Sequence, residues 1–187
     1  MNSFIAAFLG MGLVGGALAA SVGCGTQTAG TGGSSAGGAA AFGESAVTAA
    51  VSHFTHKGFT RITKDPVASQ HALAPKVVVW VNDEAAAAYR AINPGDAMAK
   101  AGPFPVGTIM VKQGIAADGN PDGSATVLAK FASGYAPDTG DWWWGRFDTT
   151  GALAEKGKIQ YCIDCHVGNG LARTDYLRGT PATNQTP

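Results

Sequence analysis

Cysteine is scarce in this chain, with three among 187 residues, and two of the three stand together as Cys162 and Cys165. A structural zinc site takes four ligands, and the only other cysteine, Cys24, lies more than a hundred residues upstream. No second thiol pair exists to complete a cage, which leaves only His53, His56 and His71 as imidazoles outside the motif region. Charge is scarce too: 13 basic and 13 acidic residues cancel to zero, which excludes a polyanion binder driven by bulk charge. Beyond the first two dozen residues, no stretch approaches the roughly 20 apolar residues that a bilayer span requires. The length allows one domain.

What is present is a short constellation near the end, Tyr161-Cys162-Ile163-Asp164-Cys165-His166. C-x-x-C-H is the attachment signal of a c-type haem. Two thiols on successive turns of a short helix reach the two vinyl groups of one porphyrin edge, and the next residue turns an imidazole under the iron. Cys162 and Cys165 are therefore expected as thioether anchors and His166 as the proximal metal ligand of one covalent haem c per chain. The competing readings of C-x-x-C alone are half a zinc site or a redox pair.

Residues 1–24, MNSFIAAFLGMGLVGGALAASVGC, read as an export signal, although the polar opening lacks Lys or Arg. Cleavage after Ala17-Leu18-Ala19 leaves a soluble periplasmic protein. Cleavage before Cys24 resembles processing at a bacterial lipoprotein box, with Ser21 where leucine is usual, and leaves a lipid anchor on Cys24. Residues 25–43 are a Gly, Ser and Ala-rich linker with almost nothing to bury, and a lone cysteine between signal and linker suits an anchor. Export and haem agree, since c-type haem is attached outside the bacterial inner membrane.

From residue 44 to about 180 the chain is patterned as one domain, with 181–187 as a tail. Ser45 to His56 reads as a helix with Val47, Val51 and Phe54 on one stripe; His53 and His56 share part of its turn and read as a solvated pair rather than a metal site. Lys76 to Val81 is an uninterrupted β-branched run and predicts a buried central strand. Asn82 or Asp83 caps a helix to Ile92. Strands follow at 107–115, 125–131 and 142–147, the first two separated by the Asp/Asn-rich turn 118–123. Asp148 to Gly157 reads as a polar turn, and a final helix carries the haem motif. The fold class is α+β: an antiparallel β-sheet with flanking helices and the c-type haem near the C-terminal helix.

The order of Trp80-Val81-Asn82, Asn93-Pro94, Phe104-Pro105-Val106-Gly107-Thr108 with Val111-Lys112, Gly134-Tyr135-Ala136-Pro137 with Gly140-Asp141-Trp142, and the C-x-x-C-H motif resembles the cytochrome P-460 family from about Phe59 to Tyr176. The resemblance implies a sheet-rich homodimeric c-type haem protein with an open distal coordination site. Family members that oxidise hydroxylamine carry a lysine cross-linked to the haem macrocycle, and the matching residue is Lys112. Related cytochrome c prime beta proteins lack that bond and bind nitric oxide behind an apolar pocket. The carboxylate that hydroxylamine-oxidising members hold above the iron aligns near Thr126, in a stretch without an acid; Asp118 and Asp122 are the nearest. A simple electron-transfer cytochrome is a third reading.

Strand alternation puts Met110 and Lys112 on one face and Ile109 and Val111 on the other. It likewise sets Trp142 and Trp144 against Trp143, so one ring is haem wall and another plain core. No basic groove accompanies these rings, so no nucleic-acid platform is expected. Arg146, one pleat beyond Trp144, is a candidate partner for a haem propionate. Met98 and Met110 are candidate sixth ligands. The expected partners are hydroxylamine or nitric oxide, and a cytochrome that accepts electrons.

Overall fold

The computed structural model describes residues 42–70 and 73–187. The export segment, Cys24, nearly all of the linker and His71 lie outside the described residues. The described elements are helices α1 (Glu44–Val51), α2 (Asp83–Arg90) and α3 (Gln160–Gly168), with strands β1 (Phe59–Arg61), β2 (Val67–Ala68), β3 (Lys76–Asn82), β4 (Ile109–Ile115), β5 (Pro121–Lys130), β6 (Trp142–Phe147) and β7 (Leu153–Gly157). They build one seven-stranded sheet in the order β1-β3-β4-β5-β6-β7, with β2 also paired to β3. Every pairing is antiparallel, and the fold is α+β.

Alternation along the strands sorts the side chains into two cores. One face collects Val79, Val81, Met110, Leu128, Trp142 and Trp144 against Ala85, Ala86 and Tyr89 of α2 and Cys162 of α3. The other collects Ile109, Val111, Val127, Trp143 and Phe147 against Val47 and Val51 of α1. Met110 and Lys112 thus share a face, as do Trp142 and Trp144, and Trp143 is core on the far side. Helices of eight residues are too short to stand alone in water. Burial at about 1.5–3 kcal/mol per large apolar side chain holds α1 and α2 to the sheet.

Several elements differ from expectation. The predicted turn at 148–157 is a turn only as far as Ala152. Asp148 Oδ1 accepts from Thr150 N, Thr150 Oγ1 and Ala152 N, and β7 follows, a mostly exposed edge strand. Strand β5 begins at Pro121, four residues ahead of the expected start. Helix α1 stops at Val51, and His53 and His56 take left-handed backbone with φ of 55° and 63°. They therefore share no helical face. His56 instead stacks on Trp80 at 4.1 Å and its Nε2 lies 3.1 Å from Gln113 Oε1. Asn82 caps nothing with its side chain: it donates to Gly107 O and accepts from Ile109 N, tying the start of α2 to the start of β4. Residues 181–187 are docked and not a loose tail, with Thr186 N donating to Ile62 O and Lys64 N to Asn184 O.

Candidate functional site

Helix α3 carries Cys162, Cys165 and His166 at i, i+3 and i+4, a spacing that lines up side chains on one helical face. Cys162 and His166 are buried and Cys165 is exposed. His166 Nδ1 lies 2.5 Å from the backbone carbonyl of Tyr176. A carbonyl can only accept, so Nδ1 carries the proton and Nε2 is left as the free lone pair, the arrangement that orients metal-ligating imidazoles. Trp144 meets the ring edge-on at 4.6 Å. Burial, and after it the Lys112 charge, hold the His166 imidazole down at about 4, so the ring is neutral near pH 7. Burial above all pushes the Cys162 thiol up to about 11, the opposite of the depressed pKa of a reactive redox thiol. Among the described residues no three His, Cys, Asp or Glu side chains cluster closely enough to cage a metal ion. A raised Cys162 thiol and a buried, oriented imidazole suit the haem-attachment reading of the motif better than a reactive redox pair.

The partner Tyr176 carbonyl sits in strained backbone. Asp175 and Tyr176 both have positive φ, 50° and 63°, a region that costs a non-glycine residue roughly 1–2 kcal/mol. Two such residues in succession persist only where their surroundings over-determine them.

On the sheet face that α3 covers, strand register aligns a row: Val79 opposite Lys112, Lys112 opposite Thr126, Thr126 opposite Arg146, and Arg146 opposite Glu155. Lys112 is the wall common to two clefts. One, of about 270 Å³, is lined by Val67, Val77, Val79, Tyr89 and Arg178. The other, of about 110 Å³, is lined by Cys162, Cys165, His166, Gln70 and Arg178. Burial is the chief cause that lowers the Lys112 amine below the usual lysine range, opposed by the charges of Cys165 and Cys162 and assisted by Arg178.

Two buried polar atoms on this face lack partners among the described residues, Thr126 Oγ1 and Trp144 Nε1. Buried polar groups are normally satisfied. Their orphan state beside a thiol pair, a fixed imidazole and an apolar-walled cleft fits a large planar cofactor with polar substituents, and a haem is such a group.

The remaining candidates line neither of these two clefts. Arg146 donates to Glu155 and to the Tyr161 hydroxyl, each at 2.9 Å, and lines neither cleft. Arg178 is the guanidinium in both cleft walls, and no motif flagged it. Asp118 sits in the exposed hairpin turn, bonded to Asn120. Asp122 is different: its Oδ1 accepts from Ser124 Oγ at 2.6 Å and Ser124 N at 2.8 Å. Ser124 and Thr126 together line a small hollow beside Lys112. Gly114 makes room there, since a Cβ at that position would fall 2.2 Å from Ser124 Oγ and 2.3 Å from Asp122 Oδ1. Met110 is fully buried core and Met98 is exposed, its sulfur against Arg173; neither lines the two clefts.

A C-x-x-C-H helix laid on a broad antiparallel sheet defines a class of cytochromes distinct from the small all-helical electron carriers. Comparison with family models gives one match, described as Cytochrome P460, over residues 59–177. The chain belongs to the cytochrome P460 family and is a haem protein of that kind. No curated protein and no solved structure matches the chain significantly.

Proposed function

We propose that one haem is held covalently through Cys162 and Cys165, with His166 Nε2 as the iron ligand, and that the protein oxidises hydroxylamine. The observation that carries the reading is the His166 Nδ1 bond to the Tyr176 carbonyl, on the same helix face as the two thiols and opening on the cleft that Lys112 walls. Arg178, which lines both clefts, is the candidate cation for a propionate, with Trp144 Nε1 as a free donor; Arg146 is paired with Glu155 and Tyr161.

When bound, the haem supplies a redox centre that passes electrons to an external cytochrome. Oxidation of hydroxylamine to nitric oxide also releases three protons, and the chain must take them. Thr126 presents a hydroxyl with no competing partner among the described residues, and the Asp122–Ser124 pair is the carboxylate nearest along the same face of β5. We assign proton acceptance to that pair and substrate contact to Thr126. We assign to Lys112, which lines both clefts, the bond to the macrocycle. That bond would exchange a Lys112 amine N–H and a ring C–H for a C–N bond, with the two protons and two electrons taken up by a peroxide-class oxidant. Burial shifts the Lys112 amine toward its neutral form.

A second reading has one observation in its favour. Among the described residues no carboxylate lines either cleft, and Val67, Val77 and Val79 line the larger one, which suits nitric oxide binding without turnover. Anaerobic mixing with hydroxylamine and a chemical oxidant separates the two: consumption supports the enzyme, and nitric oxide binding without consumption supports the sensor or carrier. We further propose export to the periplasm, a lipid anchor at Cys24 and a homodimer, on the sequence pattern and family membership.

A further inference from the structure

Lys130 and Asp175 form an ion pair buried beneath the haem-side core, with side chains only 8% and 9% exposed. Lys130 Nζ reaches both carboxylate oxygens, at 2.8 and 2.6 Å, and lies 5.0 Å from the centre of the Trp142 ring. Asp175 is gripped from every side. Its Oδ2 accepts from Phe104 N at 2.8 Å and its carbonyl accepts from Trp142 Nε1 at 2.7 Å. Gly140 leaves space for it: a Cβ there would fall 2.6 Å from Asp175 Oδ1. The next residue is Tyr176, whose carbonyl holds His166 Nδ1.

We infer that the Lys130–Asp175 pair is a positioning device for the proximal histidine: it locks the left-handed Asp175–Tyr176 backbone, keeps the Tyr176 carbonyl on His166 Nδ1, and thereby lowers the reduction potential. The chain of causes is short. Two successive left-handed non-glycine residues need external restraint; Tyr176 N on Leu171 O at 2.7 Å and the Tyr176 hydroxyl on Asp138 O at 2.8 Å supply part of it, and the ion pair with its two flanking hydrogen bonds is the part that fixes Asp175. A bond to Nδ1–H raises the basicity of Nε2, and a more basic axial ligand favours ferric over ferrous iron. Lys130 and Asp175 touch neither clefts nor motif, so their part is played through His166 alone. The inference rests on His166 being the iron ligand.

The test is spectroelectrochemistry of the haem-loaded protein, with the ferrous iron–histidine stretch read by resonance Raman, in Lys130→Met and Asp175→Asn. Both variants are expected to raise the potential and lower the stretching frequency. Lys130→Met is the sharper of the two, because loss of a nearby positive charge by itself lowers the potential; a rise together with a lowered stretch reports the carbonyl leaving the imidazole. Val111→Ala, a destabilising change in the opposite core, is expected to move neither quantity. If Lys130→Met does not fold, Asp175→Asn decides through the iron–histidine stretch alone, since loss of a negative charge raises the potential by itself while the stretch follows the bond to His166 Nδ1; asparagine tolerates left-handed backbone, so this variant folds. Unchanged potential and stretch in a folded, haem-loaded variant, or a fall in potential in Lys130→Met, would overturn the inference. A wild-type protein without bound haem would overturn the ligand assignment beneath it.

Discussion

Lys112 and Thr126 are register partners across β4 and β5, on the sheet face that α3 covers. A lowered amine and an unpartnered hydroxyl thus stand side by side at one small hollow, although fourteen positions separate them in the chain. The face they share is the one on which His166 lies.

Thr126→Val keeps the shape of the side chain and removes its orphan oxygen. Stability is expected to rise by about 1 kcal/mol, because an unsatisfied buried hydroxyl costs on that order, while hydroxylamine oxidation slows. Urea unfolding beside steady-state kinetics reads both; a stability loss would mean the hydroxyl has a partner after all.

Asp122→Asn preserves the acceptor for Ser124 and abolishes the base. Hydroxylamine turnover should drop about 10²-fold, the low end of what a positioned base contributes, with nitric oxide affinity unchanged. Equal turnover in mutant and wild type would remove Asp122 from the reaction.

Burial pushes the Tyr89 phenol up to about 12 from its model-compound value of 10.0, the Thr180 hydrogen bond opposing. The folded protein then keeps its proton where the unfolded chain has lost it. Stability from this group is complete below pH 10 and declines between pH 10 and 12, by about 2–3 kcal/mol in all. Urea midpoints measured from pH 9 upward should fall more steeply in wild type than in Tyr89→Phe.

Removing one partner of a buried ion pair strands the other, at about 3–5 kcal/mol. Lys130→Met is expected to cost that much and Lys130→Met with Asp175→Asn distinctly less. A double-mutant cycle by chemical denaturation checks the coupling.

The sheet was legible wherever β-branched and aromatic residues cluster. Lys76 to Val81 and Trp142 to Phe147 announce β3 and β6, and alternation alone places Lys112 beside Met110. Strand β7 was not legible, because Ala154, Glu155 and Lys156 belong to an exposed edge whose composition is that of a turn. Strands β1 and β2 are three and two residues long, too short to show a period. At the site, the motif discloses its own three residues and the family pattern adds Lys112. The fifth element is a backbone carbonyl at Tyr176, which has no sequence signature, and its restraint joins Lys130 to Asp175 across 45 positions. Arg178 stayed hidden for the same reason: only the folded chain brings it to the cleft.

The central claim, that one haem joins α3 to β4, is tested most directly by proteolysis of the purified protein and mass spectrometry of the haem-bearing species. The account predicts one species in which a single haem carries the segment with Cys162 and Cys165 and, through a bond that costs two hydrogens, the segment with Lys112. Haem carried by the cysteines alone, with Lys112 recovered unmodified, would contradict it.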